Sequence, residues 1–236
     1  MGLDVYVGAL TRYFAGDWER IADRTSGKRG RAIGTAQPRV AGAPKKDRER
    51  IQDSVLAWRR TLAGALAPYL AEPLAWNETP EAPWFTDRPG WDGFGALVLW
   101  AAYAEQPTLR RPAALPTEWD EDAALVRSNA EGFRSRYSHL VRNVELWLPT
   151  TLDFTFESED VDGRRIIVGS STTLRRQLGE LNAATWKMDE DGTAALAREP
   201  SRGRATLEDA ARHSMAVMSV LVRQAVRHRL PVKLDY

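Results

Sequence analysis

Apolar and polar positions alternate at the start of the chain, where Leu3, Val5 and Val7 are separated by Asp4 and Tyr6 and the run ends at Gly8. A period of two with β-branched residues predicts a strand with one buried face. Asp17 follows as the expected cap of a short helix over DWERIADRT, with Trp18 and Ile21 inward. Ile51, Val55, Trp58, Leu62, Leu66 and Tyr69 then recur at three- and four-residue intervals, laying one apolar stripe on a helix from about Asp47 to Leu70. Pro73, Pro80, Pro83 and Pro89 interrupt regular structure until a second helix, expected to start at Asp92. Its Phe94, Leu97, Val98, Leu99, Trp100 and Tyr103 are apolar on most sides, which predicts a central position.

In the second half, Thr117 is placed to cap an acidic helix start, EWDEDAALV, with helix continuing to about Asn143. Strand-type residues at 144–148, 152–156 and 166–168, with a turn at Asp160-Val-Asp-Gly163, read as a β-meander over 144–169. Ser170 or Ser171 can cap the next helix, whose Leu174, Leu178, Leu181 and Trp186 form its inward stripe. Residues 187–204 are charged and loop-like. Thr206 and Asp209 resemble a capping box ahead of a long amphipathic helix marked by Leu207, Ala211, Met215, Met218, Val222 and Ala225, which Pro231 stops. The final VKLDY alternates like a strand and is expected to pair with LDVYV. The sum is a single α+β domain over 1–236, mostly helical, with a small mixed or antiparallel sheet; residues 107–117 form a Pro-rich connector.

Composition narrows the class. At 236 residues and 43% hydrophobic, the chain is long enough to bury a core without cross-links. The absence of cysteine excludes a disulfide framework, a thiolate metal site and a cysteine nucleophile, and fits a bacterial cytoplasm. No basic region precedes the first apolar run, so it does not read as a secretory signal, and Tyr6 stands where a myristoylation motif wants Ser or Thr. Apolar stretches fall short of the ~20 residues that a membrane span requires. The expected location is cytoplasmic, without a membrane partner.

The net charge of +1 conceals two opposed regions. Residues 27–50 carry Lys28, Arg29, Arg31, Arg39, Lys45, Lys46, Arg48 and Arg50 against Asp47 and Glu49, and 27–46 is expected to be a flexible basic loop. Between Ala71 and Leu125, ten acidic residues face only Arg88, Arg110 and Arg111. MGLDVYVGALTRYFAGDWE, WDGFGALVLWAAYAEQP, VELWLP and VGSSTTLRRQLGELNAATW together resemble the successive blocks of a family of uncharacterised bacterial proteins. That resemblance spans most of the chain and implies a bacterial protein, but it supplies no catalytic residues.

Three chemistries compete. Trp76, Trp84, Asp87, Arg88, Trp91 and Asp92 form an acidic aromatic loop suited to a basic protein or ligand, as in an immunity-like or regulatory binding module. Alternatively, Asp4, Glu19, Asp87 and Asp92, with Asp17, converge as the carboxylates of a hydrolase assisted by magnesium or manganese. Against this, Asp17 and Asp92 are more simply explained as helix caps, Asp4 as an exposed strand residue and Glu19 as a solvated one. Thirdly, residues 27–50 can attract anions or RNA, although base-stacking aromatics are missing there, which argues against nucleic acid.

The remaining motifs are negative. His139, His213 and His228 are too far apart for a local metal pair and no HExxH occurs. His213 is expected on a helix surface, and His228 complements a helix dipole. Ser135, Ser138 and His139 lack a nucleophile elbow, and no glycine run matches a phosphate loop. No cofactor is expected, beyond the divalent metal of the hydrolase reading. Partner identity, substrate and oligomeric state stay open.

Overall fold

The computed structural model describes residues 2–19, 45–200 and 206–236. Six strands form one sheet: β1 (Asp4–Val7), β2 (Phe85–Asp87), β3 (Val144–Leu148), β4 (Phe156–Glu159), β5 (Arg165–Ser170) and β6 (Val232–Asp235), in the order β2-β1-β6-β3-β5-β4. The first and last strands are antiparallel neighbours, with Val5 opposite Leu234 and Tyr6 opposite Lys233, as their alternation predicts. β6 also pairs antiparallel with β3, so it lies inside the sheet.

Three strands occur in the 144–170 stretch, but the one expected over 152–156 lies at Phe156–Glu159, and the order is not sequential, because β5 separates β3 from β4 and runs parallel to β3. Side-chain bonds explain the arrangement. The hydroxyls of Ser170, Ser171 and Thr173 donate to the carbonyls of Thr150, Leu148 and Leu152, tying the exit of β3 to the chain that leaves β5. Eight α-helices accompany the sheet among the described residues, making the protein α+β.

One face of the sheet is closed and apolar. Val5, Val7, Trp147, Val232 and Leu234 pack in one cluster with α3 (Trp91–Glu105), α6 (Ser171–Ala184) and α8 (Leu207–His228). Every residue of α3 from Gly93 to Tyr103 is buried, as an all-round apolar helix requires. It starts at Trp91 with Gly90 at the N-cap (φ 74°), so Asp92 sits in the first turn and is not the cap. Ser170 caps α6 by accepting from the Thr173 amide at 3.1 Å. Thr206 caps α8 by accepting from the Asp209 amide and donating to its carboxylate.

The opposite face is covered by α2 (Lys45–Leu66), which continues as a 3₁₀ turn over Ala67–Tyr69, and by the short α1 (Leu10–Phe14). Val55, Leu62 and Leu66 of α2 meet Leu146, Leu148, Ile166 and Val168 of the sheet, with Leu10, Leu74 and Trp76 completing the cluster.

Two stretches depart from the sequence reading. The region expected to be helical up to Asn143 holds a 3₁₀ turn, α4 (Ala123–Ser128) and α5 (Ser138–Val141). Asp122, not Thr117, caps α4, accepting from the Ala124 amide at 2.8 Å, and Gly132 at φ 79° breaks the helical path. Residues 187–204, read as loop, contain α7 (Glu190–Arg198), whose inward residues Thr193 and Ala197 are too few and too small to stand out as a stripe. The 107–117 connector has neither helix nor strand, though Leu109 and Leu115 rest on the core. Most of the DWERIADRT helix and the basic segment up to residue 44 lie outside the described residues. No described helix is long and apolar enough to cross a membrane.

Candidate functional site

Strand β6 passes through the middle of the sheet, so successive side chains enter two different surroundings. Val232 and Leu234 enter the apolar cluster, whereas Lys233 and Asp235 turn to the opposite face, next to a cavity of about 520 Å³. Tyr13 and Phe14 of α1, with Gly16 and Trp18 just beyond it, form one wall. The β4–β5 turn forms another, through Asp160, Asp162 and Arg164, and Asp235 and Tyr236 complete the rim.

Lys233 is the central feature. It is only 2% exposed, lines the cavity, and its Nζ makes no hydrogen bond. Its counter-charge is the Glu145 carboxylate at 3.8 Å, beyond hydrogen-bonding range. Burial lowers the Lys233 pKa, and Arg164 pushes the same way; Glu145, Asp160 and Asp235 oppose the shift without reversing it.

A β-bulge places Glu145. The register between β3 and β5 shifts between Val144 and Leu146, leaving Glu145 as the inserted residue. Its carboxylate accepts from Arg164 at 2.6 Å and from the Tyr236 hydroxyl at 2.8 Å. Tyr236 is held protonated to higher pH by burial first and by that bond second. Asp160 is buried because its carboxylate serves the turn, accepting from the amides of Asp162 and Arg164 at 3.0 Å each. Gly163, at φ 77°, supplies the left-handed position that the turn needs.

The acidic aromatic loop supports the wall of this cavity from behind. Glu78 is buried and accepts from the Leu10 and Thr11 amides at 3.0 and 2.8 Å, satisfying two donors at the start of α1. Trp76, also buried, donates its indole N–H to Glu78 and packs under Arg59. Arg12 donates to the carbonyls of Pro80 and Ala82. Above α1, Tyr6 folds over Gly8, where a Cβ would collide with the tyrosine ring, and donates to the Ala9 carbonyl. Tyr13 then projects to the cavity and donates to Asp235 at 2.9 Å.

The six loop residues singled out from the sequence divide among several surroundings. Trp76 is internal, and Trp84 is partly buried beneath Arg12. Asp87 accepts from the Arg88 amide, and Arg88 pairs with Asp4 at 2.6 Å. Trp91 is 42% exposed and meets both Trp119 and Tyr236, which brings it to the cavity rim; Asp92 beside it is exposed. Asp4 is 1% exposed, so it is not an exposed strand residue; it lies directly across from Asp235. Glu19 is partly buried, and Asp17 pairs with Arg48 at 2.6 Å. Among the described residues no three His, Asp or Glu side chains are grouped to hold a metal ion.

The histidines also have settled places. His139 is fully buried, and its pKa falls to about 4, chiefly through burial and further through Arg176. His213 is buried rather than on the helix surface, and Nε2 lies 3.0 Å from the Glu199 carbonyl. His228 stacks near Phe85 at 5.5 Å.

Lys233, Glu145, Asp235 and Tyr236 were not singled out from the sequence, although the alternation of VKLDY already separates Lys233 and Asp235 from Val232 and Leu234. Fold and cavity together define an α+β protein with a mixed-charge, aromatic-walled pocket at its central strand. Comparison with protein-family models, curated proteins and solved structures found no match.

Proposed function

We propose that the protein is a ligand-binding module whose site is the cavity between β6, α1 and the β4–β5 turn. The observation that carries this reading is Lys233, an unbonded buried amine beside a polar cavity. A buried polar group without a hydrogen-bond partner costs stability, so such a group beside a cavity is best explained by a ligand that completes it. Lys233 and Arg164 can donate to carbonyl or carboxylate oxygens, the Asp162 carboxylate can accept from hydroxyl or ammonium groups, and Tyr13 and Trp18 offer flat apolar contact. The fitting ligand is therefore a small molecule with both donor and acceptor groups, of amino-acid or monosaccharide size.

The test is a titration with amino acids and monosaccharides, followed by backbone amide NMR. Binding should move the resonances of Lys233, Asp160 and Gly163, and Lys233→Met should abolish those shifts. Shifts confined to other regions, or none with any compound, would overturn the reading.

A second reading has support from the exposed pair Trp91 and Asp92, which present an aromatic face and a carboxylate suited to a basic protein partner. Capture of such a partner should be lost on reversing the charges of Asp87 and Asp92. Unchanged capture would remove that surface from consideration.

A further inference from the structure

The side chain at the cavity floor has chemistry beyond hydrogen bonding. Lysine is a carbonyl-directed nucleophile when its amine is neutral, and desolvation is the usual physical means of making it so. Lys233 lies in the middle strand of three, flanked by Tyr6 on β1 and Leu146 on β3, so backbone pairing holds it in place. Its Nζ is closed to bulk water and carries no hydrogen bond that would occupy the nitrogen lone pair or its protons. The charged groups around it come from three elements: Glu145 from the β3 bulge, Asp160 and Arg164 from the β4–β5 turn, and Asp235 from β6 itself.

We infer that Lys233 is a nucleophilic amine that captures a small aldehyde or ketone in the cavity as an imine. The inference rests on the cavity being a ligand site and names the ligand's reactive group. In the first step the Nζ lone pair bonds to the carbonyl carbon while the carbonyl π pair moves to oxygen. Glu145 takes a proton from the nitrogen and the oxygen takes one from solvent, giving a carbinolamine. In the second, the hydroxyl accepts a proton returned by Glu145 and leaves as water, and the nitrogen lone pair closes the C=N bond, so that the final product is the protonated imine. No oxidation or reduction occurs. Tyr236, bonded to Glu145, orients that carboxylate. A burial-lowered pKa at Lys233 acts in the same direction, because it enlarges the neutral fraction.

The experiment treats the full chain with acetaldehyde and sodium cyanoborohydride across a range of pH and maps ethylated lysines by peptide mass spectrometry. The exposed Lys187 serves as the internal comparison. Near neutral pH, Lys233 should be captured several-fold more than Lys187, because burial enlarges its neutral fraction. Its half-maximal capture should fall at lower pH, and Glu145→Gln should move that midpoint lower still by removing the carboxylate that favours the ammonium form. Capture of Lys233 no greater than that of Lys187 would overturn the inference. If that happens while amino acids or sugars still shift the cavity resonances, the amine chemistry falls and the binding reading stands. Selective capture without any such shifts would uphold the amine and remove amino acids and sugars as the ligand class.

Discussion

The two faces of the sheet are built from the same strands and have opposite characters. On one, Val232 and Leu234 of β6 join Trp147 and three helices in a dry cluster; on the other, one residue along, Lys233 and Asp235 meet a cavity. Strand pleating makes this possible at no cost in hydrogen bonding, because side chains one residue apart point to opposite sides. The closed face supplies rigidity. The open face uses that rigidity to hold an amine where water does not reach, which a loop would not achieve.

The contrast is breakable first on the closed side. Trp147 is fully buried and donates its indole N–H to the His139 carbonyl, so Trp147→Ala should cost about 3–5 kcal/mol in urea denaturation. A loss below ~1 kcal/mol would mean that this face is not the stabilising one.

The same cluster imposes a pH dependence. His139 has a folded pKa of about 4, below the unfolded 6.5, so the unfolded chain binds more protons between those values. Its contribution is complete above pH 6.5 and is lost as pH falls toward 4, by roughly 3 kcal/mol. Denaturation at several pH values should show this acid limb, and His139→Gln should flatten it.

On the open side, Glu78→Ala would leave the Leu10 and Thr11 amides and the Trp76 indole without their acceptor, at a cost of about 1–3 kcal/mol. The accompanying loosening of α1 should appear as faster hydrogen exchange at Leu10 and Thr11. Lys233→Met should go the other way. Removing a buried amine that lacks a hydrogen bond should leave stability unchanged or raise it by about 1–2 kcal/mol, read as a higher Tm. A large loss would show that Lys233 is a structural ion-pair partner of Glu145. Smallest of all, Trp91→Ala should alter stability by less than ~0.5 kcal/mol, since the side chain is substantially exposed. It should weaken binding only of ligands or partners that reach the rim.

Much of this scaffold was readable before folding. The α2 and α8 stripes, the all-round apolar α3, the Ser170 and Thr206 caps, the Asp160–Gly163 turn and the pairing of β1 with β6 all follow from local periodicity and hydrogen-bonding chemistry. What escaped were weak periods, such as α7, and contacts between distant segments. Glu78 illustrates the second kind: an acidic residue in a proline-rich loop reads as solvated, yet the amides it accepts from lie 67 and 68 residues earlier.

The central strand marks the boundary between local and global information. Alternation in VKLDY assigns Lys233 and Asp235 to one side, because the pleat is a property of the backbone alone. It does not say whether that side faces water. Only the insertion of β6 between β1 and β3, the bulge that swings Glu145 toward it and the loop that braces α1 convert an ordinary alternating lysine into a buried amine beside a cavity. Burial depends on which segments become neighbours, and the strands flanking Lys233 supply Tyr6 and Leu146, 227 and 87 residues earlier in the chain.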